Sequence, residues 1–255
     1  MEHRIGAQTI VWGEDNKQRR EEILRYLSEH GYTGVETGMR HFDSTEAAYY
    51  RDLYERFGIE PLGLHSGGTF WDPAQAAEEM EKIGATIEFA ASVGFRYLVI
   101  SGNPQETLES MKQSAEQYGE IGRRCRDAGL QMAYHNHNWE LKDDGALIDV
   151  LFDGTSAEEV GWVVDIAWAK IAGMDPSRLF SRYVDRISYV HIKDARDETF
   201  CELGTGDLDL PEILRLADVN MVEWLVVEQD YTSLSPEESM DVNMRYLREQ
   251  GGIRT

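Results

Sequence analysis

Four side chains of types that bind divalent metal ions stand at or just beyond the ends of short apolar runs. The runs read MAYHNHNWE, VGWVVDIAW, ISYVHIKD and WLVVEQD, and they supply Glu140, Asp165, His191 and Glu228. Oxygen donors with one imidazole and no thiolate suit Mn²⁺, Mg²⁺, Co²⁺ or Zn²⁺. A single carboxylate at a strand end is more often a helix cap or an ion-pair partner. Four such ends together predict a metal site, with a charged network around a sugar or phosphate as the alternative.

These runs belong to a regular alternation that fills the chain of 255 residues. Eight apolar segments predict strands at 4–11, 33–37, 60–65, 96–101, 130–136, 160–165, 186–192 and 223–228. Segments of helical period lie at 17–30, 44–57, 73–93, 105–128, 145–153, 176–183, 211–218 and 235–249. Strand followed by helix, eight times, predicts a (β/α)₈ TIM barrel that forms one domain over residues 1–255. An open doubly wound sheet is the alternative, but no GxGxxG or GxxxxGK[ST] follows an early strand.

The alternation of side chains along a strand adds one candidate catalytic group. Tyr189, His191 and Lys193 share a face of the seventh strand, so Lys193 should point toward the same barrel mouth as His191. An ammonium there could hold a substrate oxygen or stabilise negative charge that develops on it. The alternative is a salt bridge to Asp194 or Asp230.

Three further histidines lie at strand ends. His65 follows the third strand, and His135 and His137 end the fifth. Imidazoles at a barrel mouth serve as ligands and proton carriers, so we expect substrate contacts from His65 and His135 and a catalytic role for His137. A hydrogen-bonded core pair is the alternative for His135 and His137.

Two other side chains are candidates for substrate binding. Glu36 ends the second strand and could contact substrate hydroxyls, or pair with Arg40. Trp12 lies just past the first strand, where an aromatic ring suits the apolar face of a sugar or fills the barrel mouth.

Composition bears on partners and compartment. The chain has 47 acidic and 25 basic residues, a net charge of −22, which argues against a nucleic-acid partner. We find no secretion signal and no apolar stretch long enough to span a bilayer, which predicts a cytoplasmic protein without a membrane partner. Cys125 and Cys201 are expected to be free thiols.

Several motifs, in order, resemble those of a known family. They are YHNHNWEL, VVDIAWAKIAGMDPSRL, RISYVHIKDA, ELGTGDLDLPEIL and VVEQD followed by SPEESM and YLREQGG. The chain resembles the sugar phosphate isomerase/epimerase family of the xylose-isomerase-like TIM barrel superfamily, in its HNHxxE branch. The likeness covers about residues 130–250, and IGAQTIVW and LGLHSGGTFWD extend it more loosely into the first half.

The resemblance implies a (β/α)₈ fold with one divalent ion held by Glu140, Asp165, His191 and Glu228. In related isomerases and epimerases the two glutamates beside the metal carry a proton at a carbon next to a carbonyl, which gives Glu140 and Glu228 catalytic roles. In those proteins the ligand from the fifth strand lies within the strand itself. This chain has His135 at that position, so His135 and His137 are alternatives to Glu140 as the first ligand.

The function expected on these grounds is a divalent-metal-dependent isomerase or epimerase of a sugar, sugar phosphate or keto-sugar, acting through an enediolate. The alternative is a metal-dependent dehydratase or lyase of a keto-inositol or 3-keto-glycoside, because the superfamily contains such enzymes. A non-catalytic sugar-binding subunit is the third hypothesis. The expected partner is a small sugar or polyol, and a homodimer and a homotetramer stay open as oligomeric states.

Overall fold

The computed structural model describes residues 3–105 and 107–250, and its centre is a closed barrel of eight parallel strands. The strands are β1 (Arg4–Gln8), β2 (Gly34–Gly38), β3 (Glu60–Gly68), β4 (Tyr97–Gly102), β5 (Gln131–His135), β6 (Gly161–Asp165), β7 (Ile187–Ile192) and β10 (Trp224–Val227). Neighbours along the chain are neighbours in the barrel, and β10 closes it by pairing with β1, with Ile5 opposite Leu225. The predicted (β/α)₈ barrel is therefore confirmed.

Helices connect the strands on the outside. They are α1 (Asp15–Gln18), α2 (Arg20–Glu29), α3 (Ala47–Phe57), α4 (Pro73–Val93), α5 (Leu108–Asp127), α6 (Lys142–Asp153), α7 (Ile166–Ile171), α8 (Pro176–Arg182), α9 (Leu210–Val219) and α10 (Pro236–Glu249). Four of them carry proline in the first turn after a capping side chain, where the missing N–H costs nothing. The helix predicted from residue 105 begins at Leu108 instead, because the Thr107 side chain accepts from the Ser110 N–H and caps it there.

Strand alternation divides the buried side chains into two sets. The set inside the barrel consists of Leu62, Tyr97, Val99, Ala133, Val163, Tyr189, Trp224 and Val226. The larger set lies between the strands and the helices. Two residues beyond Ala133, Val163, Tyr189 and Val226 come His135, Asp165, His191 and Glu228, which therefore share the inward face at the C-terminal ends of their strands.

One addition to the barrel had no counterpart among the predicted elements. After β7 the chain forms a hairpin of β8 (Asp194–Arg196) and β9 (Thr199–Cys201). The carboxylate of Asp194 accepts backbone N–H groups from Ala195, Gly204, Gly206 and Leu208. Asp194 thus fixes the hairpin and its return segment, which rules out its expected alternative role as the partner of Lys193.

Within residues 3–105 and 107–250, no helix combines the length and apolarity needed to cross a bilayer.

Candidate metal centre and active-site cavity

Four buried side chains on neighbouring strands bring one donor atom each to a common point. They are His135, Asp165, His191 and Glu228, and these atoms all lie within 4.8 Å of one another. His135 Nε2 is 3.7 Å from Asp165 Oδ2 and 3.8 Å from Glu228 Oε2, and His191 Nδ1 is 3.1 Å from the same Glu228 oxygen. Donors at about 2.0–2.2 Å from one cation lie roughly 3–4.4 Å apart, so the four atoms need only a small contraction to share a divalent ion.

Hydrogen bonds behind the two imidazoles determine which ring nitrogens face this point. Glu36 Oε2 is 2.9 Å from His191 Nε2, and Glu36 Oε1 is 2.8 Å from His65 Nδ1. His65 Nε2 is 2.6 Å from Ser101 Oγ, which in turn is 3.2 Å from His135 Nδ1. Because a carboxylate only accepts, His191 donates from Nε2 and His65 from Nδ1. His65 Nε2 then accepts from Ser101, and Ser101 accepts from His135.

This assignment, made from the hydrogen-bond network, leaves lone pairs on His135 Nε2 and His191 Nδ1, which are the atoms that meet the two carboxylates. His135 Nε2 is buried and makes no hydrogen bond within the described residues. In metal sites, a hydrogen bond from the second ring nitrogen of a histidine ligand fixes the tautomer and the orientation of the ring. The Glu36–His65–Ser101 chain therefore prepares both imidazoles to bind a cation.

Glu36 is positioned by a close approach of two strands. Its side chain is fully buried, and Tyr189 donates a third hydrogen bond to Oε2 at 2.5 Å. A Cβ on Gly63 would lie 2.8 Å from the Tyr189 hydroxyl and 2.9 Å from Glu36 Cγ, so only glycine leaves room for this contact. Burial opposes ionisation of Glu36, but the charge and hydrogen bonds of His191 and His65 outweigh it and lower the pKa of Glu36.

Asp165 combines two roles that the sequence left as alternatives. Its Oδ1 accepts the Trp168 N–H and caps α7, while Oδ2 faces the cluster. The amide of Asn136 holds it from behind, because Asn136 Oδ1 accepts the Asp165 N–H and Asn136 Nδ2 donates to the Asp165 carbonyl. Asp165 is thus both a helix cap and a candidate ligand.

Lys193 lies fully buried against the same carboxylates. Its Nζ is 3.4 Å from Asp165 Oδ2 and 3.1 Å from Glu228 Oε2, and it forms a close ion pair with Asp230. The ammonium also sits 3.9 Å from the ring centroid of Phe200 in the hairpin. Burial disfavours the charge, but the three carboxylates outweigh it and raise the pKa of Lys193. The expected salt bridge to Asp230 and the expected proximity to His191 are therefore both present.

Charge in the cluster is strongly coupled. Burial lowers the pKa of His135, but Asp165 and Glu228 raise it to about 9. The pKa of His191 is raised well above its ordinary value because Glu36 and Glu228 outweigh burial. For Glu228, Lys193 and His191 outweigh burial and lower the pKa. The buried carboxylates are therefore stabilised by positive charge nearby, which either protons on the imidazoles or a divalent cation can supply.

Glu140, one of the four ligands predicted, is absent from this cluster. Strand β5 ends at His135, and the chain then turns so that Glu140 Oε1 accepts from the Tyr134 hydroxyl at 2.7 Å. Tyr134 points away from the barrel interior because it is offset by one residue from inward His135. Glu140 Oε2 accepts the His137 N–H. The structure brings together Asp165, His191 and Glu228 from the predicted set, with His135 in the fourth place.

A cavity of about 490 Å³ opens above the cluster at the C-terminal ends of the strands. Its lining includes His65, His135, His137 and Glu228, while Asp165, His191 and Lys193 lie beneath it. This volume falls in the range of about 300–1,000 Å³ typical of small-molecule sites.

The wall of the cavity beside the cluster is an imidazole between two indoles. His137 stacks on Trp139 with ring centroids 4.1 Å apart and lies 5.5 Å from Trp168. Its Nδ1 is buried without a hydrogen bond in the described part of the chain, and Glu140 Oε1 is 3.9 Å away. Burial lowers the pKa of His137, which favours a neutral ring at pH 7.

Two predicted substrate contacts lie elsewhere. Trp12 is buried, donates from Nε1 to Glu237 and packs edge-on against Tyr26, so its ring does not line the cavity. Glu36 lies beneath the cavity, where it holds His65 and His191 and has no pairing with Arg40.

Other cavity residues had escaped sequence reasoning. Ser101 follows inward Val99 at the end of β4, so strand parity places it, but nothing in its type marked it as important. Arg40 and His41 lie in a short 3₁₀ turn, Met39–His41, which has no periodicity to read.

Comparison with known proteins places this chain in a family. The family described as xylose isomerase-like TIM barrel matches residues 24–250. The chain belongs to this family. An inosose dehydratase from Geobacillus kaustophilus is 25% identical over 270 residues, which cover 89% of this chain and 87% of that protein.

Among solved structures, a sugar phosphate isomerase/epimerase from Parabacteroides distasonis superposes with a TM-score of 0.84 at 20% identity, over 100% of this chain and 96% of that one. An IolI protein described with a bound zinc atom has a TM-score of 0.80 at 18% identity and covers all of both chains. These structures show the same fold. Together with the family match, they confirm the resemblance read from the motifs.

Proposed function

We propose that this chain is a divalent-metal-dependent dehydratase of a keto-polyol such as a keto-inositol. The observation that carries the proposal is the composition of the cluster. A single glutamate, Glu228, stands beside the candidate metal position, and His135 takes the place of the second glutamate that the isomerase mechanism requires. The inosose dehydratase relative, which aligns over most of both chains, supports the same choice.

The four donors fit a cation on the grounds of their own chemistry. His135 Nε2 is a buried nitrogen that lacks a hydrogen bond, and Asp165 and Glu228 are buried carboxylates aimed at the same point. Leaving such groups uncompensated is costly. A divalent ion held by His135, Asp165, His191 and Glu228 would polarise a substrate carbonyl and acidify the neighbouring C–H. The zinc described in the IolI protein structure is consistent with this fit.

His137 is the side chain placed to take that proton. It lines the cavity next to His135, with ring centroids 5.0 Å apart, and it is not a member of the cluster. Glu228, in contrast, already meets Lys193 and His191 through Oε2. Glu140 lies behind His137, and its carboxylate would stabilise the imidazolium formed when the ring gains a proton. This gives Glu140 a supporting role instead of a ligand role.

The elimination then needs no further reactant. His137 removes the proton from the carbon beside the carbonyl. The electron pair of the broken C–H bond forms the new C=C bond as the C–O bond to the hydroxyl on the next carbon breaks. The imidazolium returns the proton to the departing oxygen, which leaves as water. Lys193, 3.1 Å from Glu228 Oε2, would offset part of the carboxylate charge in the floor of the site while negative charge develops above it.

The test is to incubate the protein with Mn²⁺ or Co²⁺ and a panel of keto-inositols, ketoses and 3-keto-glycosides in D₂O, followed by mass spectrometry. We expect loss of one water from a keto-inositol. The variant His137→Gln should retain the metal and lose at least about a hundredfold in rate, because general acid–base catalysis contributes roughly 10²–10⁴-fold. Glu228→Gln should instead lower metal affinity.

Other outcomes decide between the alternatives. A product of unchanged mass apart from deuterium beside the carbonyl would establish an isomerase or epimerase. Release of an aglycone would establish a glycoside lyase. No exchange with any compound at full metal occupancy would favour a sugar-binding subunit.

A further inference from the structure

Arg40 lies at the barrel mouth without a charged partner. It follows β2, is exposed, and lines the cavity. Within residues 3–105 and 107–250 its guanidinium has no hydrogen bond or ion pair, in a chain whose acidic residues outnumber its basic ones by 47 to 25. A Cβ on Gly38 would lie 3.2 Å from Arg40 Nη1, so glycine at the end of β2 allows the guanidinium to fold back over the strand.

A second, independent feature beside it also lacks a partner. His41 is 3% exposed and lines the same cavity, yet its Nε2 makes no hydrogen bond within the described residues. Arg20 fixes the turn by donating to the His41 carbonyl at 2.7 Å. Burial, with the nearby charges of Arg40 and Arg20, lowers the pKa of His41, so the ring is neutral at pH 7 and can donate one N–H. Because buried polar groups in proteins are nearly always hydrogen-bonded, an unsatisfied buried donor beside a cavity indicates a binding site for a ligand.

The position of this pair defines how a ligand would lie. In the barrel order, β2 stands opposite β6, the strand that carries Asp165. Arg40 and His41, which follow β2, and His135, which ends β5 three strands away in the barrel, all line this cavity. A molecule bound to the cluster through its carbonyl would therefore present its far end to Arg40. Guanidinium recognises carboxylate and phosphate through paired N–H donors, which a neutral hydroxyl cannot match.

We propose that Arg40 and His41 form an anion subsite that binds a carboxylate or phosphate group at the far end of the substrate. This inference rests on the proposed function, because the other end of the substrate is held at the metal cluster. It specifies the substrate class further: the keto-polyol that reacts at the cluster would carry an acidic group at its far end, and a neutral keto-inositol would react but bind more weakly.

The test uses probes that differ only in the acidic group. Binding of D-glucose, D-glucuronate and D-glucose 6-phosphate to the Mn²⁺-loaded protein is measured by calorimetry. We expect at least one anionic probe to bind about tenfold or more tightly than glucose, as a charge-assisted contact provides. Preference for glucuronate would identify a carboxylate, and preference for glucose 6-phosphate a phosphate.

Variants distinguish binding at this subsite from the general attraction of anions to the protein's positive charges and from binding to the metal ion. Arg40→Gln should reduce the preference to within about threefold, and His41→Phe should reduce it in part, both with unchanged Mn²⁺ content. Arg126→Gln is the matched control, because it removes the same charge from an exposed position on α5. The preference should survive in that variant.

Equal binding of neutral and anionic probes, or no measurable binding of either anionic probe, overturns the subsite. So does a preference that persists in Arg40→Gln or disappears in Arg126→Gln. None of these results affects the proposed dehydratase, whose own failure would appear as missing elimination or missing metal.

Discussion

Replacing Lys193 by Met should expose how much of the site depends on charge balance. The ammonium is fully buried between Asp165, Glu228 and Asp230, with contacts of 3.4 Å to the first and 3.1 Å to the second. Methionine has a similar length and can still pack on Phe200, so the substitution mainly removes the charge. Removing one partner of a buried ion pair costs about 3–5 kcal/mol, because the remaining charge is left uncompensated.

In a chain of this size each kcal/mol shifts the melting temperature by about 2–4 °C, so we expect Lys193→Met to melt roughly 6–20 °C below the wild type after treatment with a chelator. Saturating Mn²⁺ should at least halve this difference, since a divalent ion compensates Asp165 and Glu228 directly. The measurement is thermal unfolding followed by circular dichroism, with and without Mn²⁺. Lys112→Met, an exposed change on α5, is the control and should shift the melting temperature little.

Two results would refute this reasoning. Equal melting temperatures of the chelator-treated wild type and variant would show that Lys193 does not compensate the carboxylates. A deficit of the same size with and without Mn²⁺ would show that the ammonium and the cation do not share them.

Two further predictions concern single side chains. Glu36→Gln should fold but bind Mn²⁺ about 10–100-fold more weakly, because the two terminal atoms of an amide cannot both accept hydrogen bonds from His65 and His191. Wild-type affinity in a calorimetric titration would show that Glu36 does not support the site. Burial raises the pKa of the Cys125 thiol to about 12, so a thiol reagent at pH 8 should label only the half-buried Cys201 in the native protein and both thiols in urea. Rapid labelling of both thiols in the native protein would contradict the burial of Cys125.

Most of the barrel was predictable because its signal is periodic. All eight barrel strands differ from the predicted ranges by at most three residues at either end, and α4 spans the predicted residues 73–93. Side-chain parity along the seventh strand also predicted that His191 and Lys193 point to the same face. The β8–β9 hairpin escaped prediction, since backbone N–H groups donated to Asp194 define it and no apolar repeat does.

The fourth position of the cluster shows where a motif and a physical rule disagree. The HNHxxE motif drew attention to Glu140, while strand parity, applied to Ala133, points to His135 on the inward face. The structure follows the parity: β5 continues through His135, and Glu140 turns back to the Tyr134 hydroxyl on the outer face. The even spacing from Ala133 to His135 therefore had more predictive value than the glutamate five residues beyond His135.

The imidazole in that position also explains the charge of the whole site. Asp165 and Glu228 together would balance one divalent cation, Asp230 pairs with the buried ammonium of Lys193, and Glu36 behind His191 already adds a further buried negative charge. A carboxylate at position 135 would add a negative charge in a place with no cation left to pair with it, at the cost that burial imposes on unpaired charges. A neutral imidazole at this position would leave more of the charge of the proposed cation to stabilise the negative charge that the proposed reaction develops on its substrate. An imidazole in the place of a carboxylate is therefore an argument for the proposed dehydratase and against a proton shuttle between two glutamates.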